Sequence, residues 1–161
     1  MLIGKVTTTH DTINVSDYIK PLEFFFALDV CDNLREDDLR ELVEGYGISP
    51  TEAAKQAASW SSSVGFTVPN GKTAGMAGVT KDNRIWMLCT DAINDYPHTF
   101  VREAKRYVDS RPEPMLWNVV DKRNTVHLRL LKFLGFDFID EIEFGPNQLT
   151  FIRFCKWLSH S

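Results

Sequence analysis

The sequence predicts a mixed α+β domain, and three observations carry that expectation. Helical and strand-like segments follow one another in the order β, α, α, βββ, α, β, α, ββ, with an extra helix at 51–60, a mixture of alternation and runs that fits α+β or mixed α/β architecture. The three central strands are separated by Pro69-Asn70-Gly71 and Lys81-Asp82-Asn83, and Asn-Gly between apolar runs is a strong hairpin signal. The chain closes on two apolar runs, 136–144 and 149–157, joined at Gly145-Pro146.

The elements follow in order. Residues 2–9 are rich in β-formers and read as a first strand. Ser16 or Asp17 then starts a helix through the apolar region 22–30, with Pro21 near its first turn; the apolar residues there are so nearly continuous that a strand is also open. Leu34, Leu39, Leu42 and Val43 make an apolar stripe on a charged helix that stops at Gly45 to Gly47. Ser49-Pro50-Thr51-Glu52 has the form of a helix start, with Ser as N-cap and Pro at the first position, and the helix runs to Trp60. Strands at 64–68, 74–79 and 84–89 make the meander. Asp95 caps a helix whose Phe100, Val101, Ala104, Tyr107 and Val108 share a face, and Pro112 and Pro114 end it. A strand at 115–120, a helix at 124–134 and the two last strands complete the chain.

Composition narrows the class. The chain has 161 residues, enough for one domain with one core, and its 43% apolar and 25% charged residues are ordinary for a globular protein. A net charge of −4 argues against a nucleic-acid surface. No apolar run approaches the ~18 residues needed to cross a bilayer, and residues 1–15 lack the regions of a secretory signal. Cys31, Cys89 and Cys155 match neither a disulfide framework nor a zinc site, so buried thiols in a reducing cytoplasm are expected. The four histidines have no metal-ligand spacing with carboxylates or cysteines, and no metal is expected.

The most informative stretch is LWNVVDKRNTVHLRLLKFLGF, residues 116–136. An apolar strand ends at Asp121-Lys122-Arg123, Asn124-Thr125 caps a helix, and Gly135 stops it. The first-turn N–H groups of that helix lack intrahelical partners, and Lys122 and Arg123 add charge beside them, so an anionic group could sit there. A capped helix with two solvated cations explains the same residues without any ligand. The run 137–144 alternates Asp137, Asp140, Glu141 and Glu143 with apolar residues; a solvated strand face is the plain reading, and a carboxylate serving a substrate ammonium is the functional one.

The spacing Asn124, His127, Leu130-Leu131, Gly135-Phe136 resembles the C-terminal half of GCN5-related N-acetyltransferases (GNAT). The resemblance implies a GNAT-like fold, a mixed and mostly antiparallel sheet with helices on both faces. It implies an acetyl-CoA site between the strands at 84–89 and 115–120, with Leu88, Cys89, Asn118, Lys122, Arg123, Asn124, His127 and Leu131 on the cofactor side. A free N–H at Leu88 or Cys89 would polarise the thioester carbonyl, and His127, Glu141 and Glu143 are the candidate acid–base groups. Two positions depart from the family pattern. Leu131 stands where relatives carry the Tyr that protonates the thiolate. Residues 90–97, TDAINDYP, stand where a glycine-rich loop should bind the pyrophosphate, and offer no glycine, no cation and two carboxylates.

A second likeness is more specific. Trp86-x3-Thr90-Asp91, Phe100 to Arg106, Leu116-Trp117-Asn118 and Asn124-Thr125-x-His127-x-Arg129-x-Leu131-Lys132 resemble the internal virion protein A family of T7-like bacteriophages, and Leu34-Arg35…Arg40-Glu41-Leu42 and Gly47-Ile48-Ser49-Pro50 resemble phage proteins of the same group. That implies a tailed-phage protein in the cytoplasm of an infected bacterium or in the virion. Two functions then compete. One is an N-acetyltransferase moving acetyl from acetyl-CoA to an amine of a host or phage protein or a small molecule. The other is a catalytically degenerate GNAT-fold protein that binds a host bacterial protein or a phage virion protein.

Overall fold

The computed structural model describes residues 16–159. The strand expected at 2–9 and the histidines His10 and His160 lie outside the described residues. The elements are β1 (Ile19–Pro21), α1 (Phe24–Asp32), α2 (Glu36–Arg40) running on as a π-helix (Glu41–Tyr46), α3 (Pro50–Ser59), β2 (Val64–Thr67), β3 (Thr73–Val79), β4 (Ile85–Cys89), a 3₁₀ turn (Asp91–Asn94), α4 (Pro97–Asp109), β5 (Met115–Asp121), α5 (Thr125–Phe133), β6 (Asp137–Phe144) and β7 (Leu149–Trp157).

Two antiparallel sheets result, one in the order β1-β2-β3-β4 and one in the order β5-β7-β6. They meet side by side at β4 and β5. A parallel bridge joins Arg84 to Trp117, Trp117 N–H donates to Asn83 O at 3.1 Å, and Asn118 Nδ2 donates to Ile85 O at 2.8 Å. Beyond Asn118 the two strands part. Helices α1 and α3 cover one face over Val30, Leu42, Ala54 and Met76. Helices α4 and α5 cover the other over Val79, Phe100, Leu116, Leu130 and Phe154. The expected mixed, mostly antiparallel sheet with helices on both faces is what the chain forms.

Local chemistry explains most boundaries. Ser49 Oγ accepts from Glu52 N–H at 3.2 Å and Glu52 Oε1 accepts from Ser49 N–H at 3.1 Å, a complete capping box. Gly71 closes the β2–β3 loop at φ +84°, donating to Val68 O at 2.8 Å. Helix α5 ends in a Schellman motif: Gly135 at φ +89° donates to Lys132 O at 3.1 Å, and Phe136 N–H donates to Leu131 O at 3.0 Å.

Three expectations are corrected. Residues 19–21 are an edge strand paired to β2, and the helix starts only at Phe24. Proline keeps the preceding Lys20 extended and is tolerated at a sheet edge. Asp95 does not cap α4. Thr90 Oγ1 caps the 3₁₀ turn instead, accepting from Ala92 N–H at 3.2 Å, and Pro97 at the first position of α4 makes Tyr96 the cap residue. Only half of the stripe Leu34, Leu39, Leu42, Val43 faces inward, with Leu42 buried and Leu34 packed against the core. Leu39 and Val43 are exposed, while Arg35, Asp38, Leu42 and Gly45 are buried. The helix turns its charged side inward because that side finds partners there.

Candidate functional site

Helix α2 presents Asp38 and Glu41 three residues apart, hence on one side of the helix. That side lies over the split between β4 and β5. Asp38 is 1% exposed and is surrounded by donors: Arg35 Nη1 at 3.0 Å and Asn124 Nδ2 at 2.8 Å on Oδ1, and Cys89 N–H at 2.8 Å on Oδ2. A buried carboxylate without such partners would be very costly. Arg35 N–H also donates to Cys89 O at 2.9 Å, and Leu34 bridges Thr90 antiparallel. The open edge of β4 is therefore paired with residues 34–38. Glu41 reaches the opposite strand, where its Oε1 accepts from Asp121 N–H at 2.9 Å.

The charges in this cluster are unusual. Burial, reinforced by the Asp38 and Asp121 charges, pushes the Glu41 carboxyl up to about 8 against the hydrogen bonds from Asp121 N–H and Asn124. Glu41 therefore holds its proton at neutral pH. Burial lowers the pKa of His127 although the Asp38 charge opposes it, so the imidazole is neutral. Its Nε2 lies 3.5 Å from Asp38 Oδ1, and neither His127 Nε2 nor Asn124 Oδ1 has a hydrogen-bond partner among the described residues. Burial and Asp38 raise the Cys89 thiol well above its ordinary value.

Asp38, Cys89 and His127, which no sequence spacing connects, bring their ligand-type atoms within 4.8 Å of one another. The Arg35 guanidinium already neutralises Asp38 and the thiol stays protonated, so the trio packs as an ion pair with neutral neighbours.

Behind this cluster the split opens into a cavity of ≈ 1230 Å³. Tyr46, Trp60 and Trp86 line it on the α1–α3 side, and Phe100, Glu103 and Leu130 on the α4–α5 side. The indole rings of Trp60 and Trp86 stand 5.5 Å apart.

Of the residues expected at the site, Leu88, Asn118, His127 and Leu131 line the cavity, and Cys89 and Asn124 bond to Asp38. The rest of the expectation changes. Cys89 N–H is taken by Asp38. Thr90 N–H pairs with Ala74 O in the β3 ladder, and the two-residue alternation of that ladder turns Leu88 N–H toward β3 as well; neither donor is free to polarise a carbonyl. Asn124 does not cap α5; its side chain crosses to Asp38. Lys122 pairs with Glu141 at 2.9 Å, and Arg123 holds Asp121 at 2.8 Å and Glu44 at 2.9 Å, so both cations beside α5 are engaged. Glu141 and Glu143 sit exposed on β6, the strand of its sheet farthest from the split. Asp91 and Asp95 are exposed too. Arg35 and Glu41 carry no signal in the sequence beyond the likeness of Leu34-Arg35…Arg40-Glu41-Leu42 to phage proteins, and Asp38 carries none.

No family model and no curated protein matches the sequence. Solved structures do match the fold. The yncA protein of Salmonella typhimurium, solved with its cofactor acetyl-CoA, superimposes with a TM-score of 0.63 at 12% identity over 91% of this chain and 96% of that one. The ribosomal-protein-S18-alanine N-acetyltransferase of Escherichia coli gives 0.60 at 17% identity over 89% and 94%. A GNAT-family acetyltransferase of Bacillus anthracis gives 0.62 at 10% identity over 86% and 93%. Identities of this size speak for the fold alone, and the fold of this chain is that of the GCN5-related N-acetyltransferases.

Proposed function

We propose that this chain uses the GNAT fold as a scaffold for binding a partner protein and does not draw acetyl groups from acetyl-CoA. The supporting observation is the pairing of residues 34–38 with the open edge of β4, which puts the Asp38 carboxylate on the Cys89 N–H where a thioester carbonyl would need a donor. The rest of the site fits acetyl-CoA no better. The β4–α4 connection has no glycine and carries two exposed carboxylates, which repel a diphosphate. Leu131 has no proton to give. The partner is a phage virion protein or a host bacterial protein, and the protein acts in the infected cell or the virion, in keeping with the likeness of residues 86–132 to the internal virion protein A family.

One observation favours the acetyltransferase reading instead. Glu41 opens a π-helix, a feature frequent at functional sites, lines the cavity and has its carboxyl raised to about 8, in the working range of a general base. Calorimetric titration of acetyl-CoA, and of coenzyme A alongside, separates the two. The scaffold reading expects no heat and no thermal shift at millimolar ligand. Micromolar binding overturns it and makes Glu41 the first residue to replace in a search for the acceptor.

A further inference from the structure

We infer that residues 34–46 are a clasp that holds the two sheets together across the split and that opens and closes as one unit. Among the described residues, the direct ties between β4 and β5 sit at the base of the split, at the Arg84–Trp117 bridge and Asn118. Farther out, the two lips are tied through α2. Asp38 and Arg35 hold β4 at both the N–H and the carbonyl of Cys89. Glu41 holds β5 at Asp121 N–H. Asn124, at the start of α5, holds Asp38 from the β5 side, and Arg123 holds Glu44 at 2.9 Å.

Two features make these contacts one unit. Asp38 gathers the side-chain donor of Asn124 and the N–H of Cys89, while Arg35 moves with it on the same segment, so its withdrawal strands a buried amide and a strand-edge N–H together. Partial release is then worse than full release. The carboxylates on the two lips also share one rigid helix turn, so a lip cannot be freed while the other contact keeps its geometry. The left-handed Gly47, at φ +73°, ends the segment in backbone suited to a pivot. With the clasp closed, the chain's own carboxylates take the donors at the lips; with it open, those donors face a ligand. The inference rests on these contacts and holds for either functional reading.

Amide hydrogen exchange on Asp38→Ala and Glu41→Ala tests it. A clasp that acts as one unit gives, in either variant, at least tenfold faster exchange at both Cys89 and Asp121, with the β5–β7 ladder unchanged. Two independent hydrogen bonds give faster exchange only at the amide that lost its acceptor, and that result overturns the inference. So does a rise shared equally by the β5–β7 ladder, which is general loosening. Should Asp38→Ala fail to fold, Glu41→Ala decides the matter through Cys89, the amide it does not touch.

Discussion

Asn124 separates two accounts of the same residue, and its replacement gives different numbers under each. As a helix cap, Asn124→Ala costs about 1 kcal/mol and Asn124→Ser almost nothing, because Ser caps as well as Asn. As a bridge, the side chain donates at 2.8 Å to a buried carboxylate. Losing a hydrogen bond to a charged group costs about 1.5–3 kcal/mol. A chain of this size loses about 2–4 °C of melting temperature per kcal/mol, so Asn124→Ala should melt about 3–12 °C lower. Ser is too short to reach Asp38 and should fall with Ala. Asn124→Asp should be worse than either, since it sets a second carboxylate against Asp38 and beside Glu41. Thermal and urea melts of the three variants supply the comparison. A Ser variant that melts like the parent, with an Ala loss near 1 kcal/mol, refutes the bridge.

The raised Glu41 carboxyl makes stability pH-dependent with a definite sign. Its folded value of about 8 lies above the ordinary 4.5, so between these values the folded state keeps a proton that the unfolded chain has lost, and stability falls as pH rises. The stability of the parent relative to Glu41→Gln, which keeps an acceptor for Asp121 N–H but cannot titrate, should decline from pH 5 to pH 8; parallel profiles count against a neutral Glu41. Gly45 admits no side chain: a Cβ there stands 2.5 Å from Cζ of Phe151, a fully buried ring. Gly45→Ala should cost about 1–3 kcal/mol as overpacking, read as a lower urea midpoint with an unchanged slope. An Ala variant as stable as the parent would mean that the π-helix does not press on β7 as described.

Rules that act over a few residues were readable. The Ser49 cap with Pro50 at the first helical position, the Asn70-Gly71 hairpin and the Gly135 stop each depend on neighbours within about five positions, and each forms. The fold class followed because those signals set the order of elements. The site was not readable, because its contacts run between residues 51 positions apart for Asp38 with Cys89 and 86 apart for Asp38 with Asn124. Within Leu34-Arg-Glu-Asp-Asp-Leu-Arg-Glu, an amphipathic reading sends the leucines inward and the charges to water. That reading prices a buried carboxylate as though it were alone. Here Arg35, three residues back on the same helix, neutralises it, and a strand edge and an amide supply the remaining donors. Once those partners exist, turning Asp38 inward costs little, and turning it outward would leave Cys89 N–H and the Asn124 amide buried without acceptors. The same arithmetic decides Asn124. Its side chain could satisfy one first-turn helix N–H or a carboxylate that is 1% exposed, and a buried charge left short of a donor is the costlier loss. The inward charge of α2 and the uncapped start of α5 are one event seen from its two ends, and the split between the sheets is closed by it.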